Sequence, residues 1–248
     1  MGLFDFFSSS PEKKINKSKQ VMLNEHHQHQ MRQQAIYDLA QFDNDLAAKA
    51  LIERLTVNFR DTIKNEQERA WVRNILVEQY QDRAILPLKE SLGEAANASY
   101  SVSGIIQVLR ALVSEVDLTT LLVDSLKAIP PKDHRRVELR QQLIDALDEQ
   151  SGEIVSALLP YTVDHSDDIR IKVINLIEER IRGEEGDHST VIEALVSAMM
   201  DPFASGRTAR AAAKALIRMQ AKLDAFIEEI ADDLPEGFTL NNGYLKEN

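Results

Sequence analysis

The chain of 248 residues contains no cysteine. That excludes disulfides, thiolate metal sites and a cysteine nucleophile, and it fits a reducing compartment. Glycine and proline are scarce, at 9 and 7 residues, so regular elements meet few breaks. Aromatic residues make up only 6% of the chain, while Ala, Leu, Glu, Gln and Arg are common. This balance favours helix over strand. No apolar run approaches the ~18 residues that a membrane-spanning helix needs. The opening "MGLFDFF" lacks a basic leader, so the cytoplasm is the expected compartment. A glycine-rich phosphate loop, a Gly-x-Ser-x-Gly elbow, a kinase signature and a His-Glu-x-x-His pair are all missing. No catalytic residue, metal or cofactor is therefore assigned, and a non-enzymatic role is expected. The net charge of -11 repels duplex nucleic acid unless the cations are segregated on one face.

What the sequence does contain is helical periodicity that repeats. In residues 156–181, "SALLPYTVDHSDDIRIKVINLIEERI", two apolar stretches flank an acidic corner. Ile154, Val155, Leu158 and Leu159 share one helical face, and Ile169, Val173, Leu176, Ile177 and Ile181 share another. Asp167 or Asp168 is placed to cap the second helix and to complement its dipole. Similar basic, apolar-flanked starts occur at Met31, Val72, Leu139, Ile169 and Ala209, with a weaker copy at Ile105. Partner helices lie between them, in "NDLAAKALIERL", "QDRAILPLKESL", "DLTTLLVDSLKAI", "EIVSALLPYTV" and "STVIEALVSAMM". A recurrence of about 30–45 residues predicts stacked helical hairpins.

On Pro160, Asp164, Ile169, Arg170 and Val173, with partial matches at Pro87 and Pro202, the chain resembles HEAT-repeat proteins of the armadillo/HEAT-type α-solenoid family. The resemblance implies an all-α solenoid of five to six helical hairpins over residues 21–234. Residues 1–20 would precede it as an apolar tip and polar linker, and 235–248 would follow as a cap. It also implies a scaffold or adaptor that binds a protein partner on its concave face, which the second helices of the hairpins line. Two alternatives stay open. One is an enzyme or lyase-type subunit on a HEAT scaffold, including a DNA-repair type. The other is a peripheral membrane adaptor.

Arg32, Arg73, Arg140, Arg170 and Arg210 occupy similar early positions in successive second helices. Either they tie the acidic corners together as an Asp–Arg ladder, or they grip an acidic segment of a partner. The second reading assigns partner binding to Arg136, Arg140, Arg170, Lys172, Arg207, Arg210 and Lys214. The tip carries Leu3, Phe4, Phe6 and Phe7 as a docking element, with Lys13, Lys14, Lys17 and Lys19 adding attraction to anionic lipid. His26 and His29 would share a face if both lay on one helix, yet two imidazoles fall short of a zinc ligand set. Trp71 opens the second copy and is expected to fill the gap between repeats. Near the end, Asn241, Asn242 and Gly243 read as the loop of a small hairpin in which Leu240 faces Tyr244.

Overall fold

The computed structural model describes residues 10–95, 101–230 and 233–248. The tip residues Leu3, Phe4, Phe6 and Phe7 lie outside this set. The chain is mostly helical and ends in a two-stranded antiparallel sheet. It divides into two compact units, Met1–Ser125 and Leu126–Asn248.

The first unit holds α1 (Pro11–Met22), α2 (His29–Ala40), α3 (Asp45–Thr56), α4 (Thr62–Ile75), α5 (Asp82–Ala95) and α6 (Ser103–Leu112), and most of α7 (Glu115–Lys127). Residues 11–20 are thus helix rather than the expected polar linker. Ser10 caps α1 by accepting from the Lys13 amide, and Pro11 sits in the first turn, where its missing N–H costs nothing. Ile15 and Met22, seven residues apart, bury against the neighbouring helices. His26 and His27 fall in the turn before α2, so His26 and His29 do not share a helix.

α3 forms the middle of this unit through Leu51, Ile52 and Leu55, all buried. α4 starts ten residues before the expected Val72, because Asp61 accepts from the Lys64 amide and caps it. The inward face of that early part is polar, through Asn65, Glu68 and Arg69, so an apolar period does not reveal it. Arg73 consequently lies in the last turn of α4, and Trp71 is half-buried there. A π-helical turn at Leu76–Tyr80 follows. It carries the Tyr80 hydroxyl inward to donate to the carbonyls of Phe42 and Leu39.

The second unit holds α8 (Val137–Asp148), α9 (Val155–Leu158), α10 (Asp167–Ile181), α11 (Ser189–Met200), α12 (Gly206–Arg218) and α13 (Ile227–Ile230). Strands β1 (Phe238–Asn241) and β2 (Tyr244–Glu247) close it. Pro160 marks the change from α9 to a 3-10 segment, Leu159–Val163. The core is built from Leu143, Leu147, Leu158, Val173, Ile174, Ile177, Leu195 and Leu216. Small buried residues on α12, among them Ala212 and Ala215, let it pack closely against α10 and α11.

Two local expectations are corrected here. α10 starts at Asp167 itself, and no side chain caps it from Ser166. The Asp167 carboxylate instead accepts from Thr208 Oγ1 at 2.9 Å and from the Ser205 amide at 3.3 Å. In the hairpin, Asn241 pairs with Tyr244 and Leu240 with Leu245. The loop is the two residues Asn242 and Gly243, because Asn242 (φ 50°) also takes the left-handed conformation beside Gly243 (φ 81°). Two such residues match the natural twist of a hairpin.

Candidate functional site

The early arginines are mostly structural. Arg140 on α8 and Asp164 in the corner after the 3-10 segment are both completely buried. Arg140 donates Nε to Oδ2 at 2.6 Å and Nη2 to Oδ1 at 2.9 Å. Its third nitrogen, Nη1, donates to the Asp133 carbonyl at 2.6 Å. Asp164 Oδ1 also accepts from the Ser166 amide at 2.8 Å. Arg170 on α10 donates Nε to the Asp164 carbonyl. Its Nη1 stands 2.9 Å from Asp201 Oδ2, an ion pair without hydrogen-bond alignment. Each arginine therefore reaches the aspartate of the following corner, and the series α8, corner, α10, corner is tied by charge. Tyr161 reinforces the first link by donating its hydroxyl to the carbonyls of Leu126 and Ile129. Burial pushes its phenol up to about 12.

The first unit carries a related centre that the early-position pattern marks only through Arg32. Glu68, buried, accepts from Arg32 Nε at 3.0 Å and from Arg54 Nη2 at 2.8 Å, and His29 Nδ1 lies 2.7 Å away. Burial alone raises the Glu68 carboxyl, but hydrogen bonds from Arg32, Arg54 and His29 outweigh it and hold the group below the usual carboxylate range. Phe59 presents its ring to both guanidiniums, 4.9 Å from Arg32 and 4.1 Å from Arg54. Asn65, Glu68 and Val72, at helical spacing in "NEQERAWV", are the sequence signal that would have found this face.

The remaining partner-binding candidates are on the surface. Arg207, Arg210 and Lys214 occupy positions i, i+3 and i+7 of α12, opposite the buried Thr208, Ala212 and Ala215. Their partners are also exposed: Asp168 at 3.8 Å from Arg207, Glu236 at 3.8 Å from Arg210, and Glu247 at 2.9 Å from Lys214. Phe203, 87% exposed, stands in the turn that leads into α12. Arg136 lies 3.4 Å from Asp133. Lys172 is shared by Asp145 at 2.6 Å and Asp148 at 3.4 Å; burial lowers its ammonium pKa, and the two carboxylates more than reverse that. The seven candidates thus separate. Arg140 and Arg170 are consumed inside the unit, and Arg207, Arg210 and Lys214 form one solvent-facing row. Among the described residues, no group of three or more His, Asp or Glu side chains is placed to hold a metal ion. Comparison of the chain with family models, curated proteins and solved structures finds no match.

Proposed function

We propose that this chain is a non-enzymatic interaction scaffold of the HEAT-repeat type, which binds an acidic segment of a protein partner along α12. The observation that carries this reading is the contrast between two sets of cations. Buried arginines are locked by short, desolvated carboxylate contacts that brace the helices. Arg207, Arg210 and Lys214 hold their carboxylates only in exposed pairs. Exposed pairs contribute little to stability, so a partner's carboxylates can replace the internal ones at small cost. Phe203, exposed in the turn that precedes α12, adds an apolar side chain a few residues before the row, and aromatic residues and Arg are enriched at interfaces. The bracing suits a scaffold, because a rigid surface loses less entropy when a partner docks.

The test is fluorescence anisotropy with an acidic, aromatic-containing peptide, comparing the native chain with the triple variant Arg207→Gln, Arg210→Gln, Lys214→Gln. Binding should weaken by about tenfold or more and fall with added salt. The thermal midpoint should hardly move. Equal affinity in the variant would remove α12 as the site.

A further inference from the structure

A groove of about 830 Å³ runs between α1 and α2 in the first unit. Its floor is apolar: Val21 from α1, Met31 and Ala35 from α2, and Phe42 from the turn that follows α2. Met31 is 46% exposed there. Methionine is adaptable and recurs on surfaces that accept helices. One rim consists of Lys13, Lys14 and Lys17, all exposed. Among the described residues none of the three has a carboxylate within ion-pair distance, whereas Lys19, two positions on, is paired with Glu53. The single acidic side chain in the lining is Asp38, which already accepts from Gln34 Nε2 at 2.8 Å. The groove is therefore net positive in a chain whose overall charge is -11. A strongly acidic molecule that keeps an uncompensated basic rim over an apolar floor is built to attract an anion with an apolar side.

We propose that this groove is a docking site for an acidic amphipathic helix of a partner protein. The apolar face of that helix would cover Val21, Met31, Ala35 and Phe42, and its carboxylates would meet Lys13, Lys14 and Lys17. The dimensions agree. α1 is 12 residues long, about 18 Å, enough to lie beside roughly three turns of a second helix. Helix-in-groove recognition lays the apolar face of an amphipathic helix on such a floor. The site extends the scaffold reading to a second surface, but it rests on residues remote in sequence from α12. Either site can fail alone.

The experiment is a selection of displayed helical peptides of about 12 residues, matched to α1, on the immobilised full chain. Enriched peptides should carry apolar residues at i, i+3, i+4 and i+7 with Asp or Glu along one flank. A synthetic copy should bind at least about tenfold more weakly to the variant Lys13→Gln, Lys14→Gln, Lys17→Gln and to Met31→Glu. The α12 triple variant, run in parallel, should bind that peptide as the native chain does. Charge-reversed peptides enriched equally, or a lysine variant that binds as tightly as the native chain, would overturn the proposal. So would tighter peptide binding after deletion of residues 1–9, which would make the chain's own N-terminal segment the occupant. Flotation on anionic phosphatidylserine vesicles that is lost in the lysine variant, with no peptide enriched, would assign the face to a membrane surface instead.

Discussion

Arg140 and Asp164 meet in a fully buried two-point ion pair although 24 residues separate them in the chain. The planar guanidinium matches the carboxylate edge to edge, and each member has further hydrogen bonds that satisfy the rest of its polar atoms. Removing one partner leaves the other charged and desolvated. Arg140→Met should therefore cost about 3–5 kcal/mol. The double variant Arg140→Met, Asp164→Leu should recover part of that loss, because no charge stays behind. Urea unfolding of the three proteins measures it, and a single-variant loss under about 1 kcal/mol would show that the pair does not brace the helices.

Arg170 and Arg136 separate the structural from the surface arginines. Arg170→Gln gives up the contact with Asp201 and the bond to the Asp164 carbonyl. A loss of about 1.5–3 kcal/mol is expected, typical of hydrogen bonds to charged groups. Arg136→Gln should leave the unfolding midpoint where it was. Calorimetric midpoints that fall equally in both variants would contradict this division.

Acidification should weaken the first unit through Glu68. Its folded pKa lies below the unfolded value, so its stabilising contribution is complete above the ordinary glutamate pKa of about 4.3 and is lost as pH falls through the lower folded value. Asp167, whose burial is outweighed by bonds from Thr208 and Ser205, has the same sign in the second unit. Glu68→Gln should be less stable at neutral pH and show a flatter acid dependence. Unfolding midpoints from pH 6 to pH 2.5 decide it; an unchanged slope in the variant counts against the Glu68 centre.

Two tyrosines should ionise late. Burial pushes both Tyr80 and Tyr161 up to about 12. A raised folded pKa means that their contribution is intact below the ordinary tyrosine value of about 10 and is lost as pH rises through the folded one. Ultraviolet titration of the native chain should show a late component near pH 12, which shrinks in Tyr161→Phe. That variant also leaves the carbonyls of Leu126 and Ile129 without this donor and should be less stable by about 1–3 kcal/mol.

Gly243 should accept a side chain poorly, because its φ of +81° is unfavourable for other residues. A Cβ there would also stand 2.2 Å from Asp224 Oδ1, so that exposed carboxylate would have to swing aside. Gly243→Ala should open the hairpin and speed amide exchange at Thr239 and Lys246, which lie opposite each other as a hydrogen-bonded pair, while the helical circular dichroism of the chain is retained. Unchanged exchange at both positions would mean that the turn has room the geometry does not show.

Much of the helical organisation is written locally. The apolar rows through Ile169, Val173 and Ile177 and through Ala209, Ala212 and Leu216 fix α10 and α12, because burial on one helical face needs residues at a period near 3.6. The start of α4 escapes that logic. Its inward residues Asn65, Glu68 and Arg69 are polar, and their burial is tolerable because Arg54 pairs with Asn65 and Glu68 and Asn58 accepts from Arg69 Nη1, although Arg69 Nε stays unpaired among the described residues.

The candidate site divides in the same way. That α12 carries Arg207, Arg210 and Lys214 on one face follows from spacing alone. That Arg140 and Arg170 are spent on Asp164 and Asp201 does not. The sequence by itself determined where the helices with an apolar face lie, α1 and the start of α4 excepted, since that periodicity depends on neighbours within a few residues. Only the tertiary structure decided which guanidinium meets which carboxylate, because such a pairing depends on distance in space and on loss of water, and packing sets both.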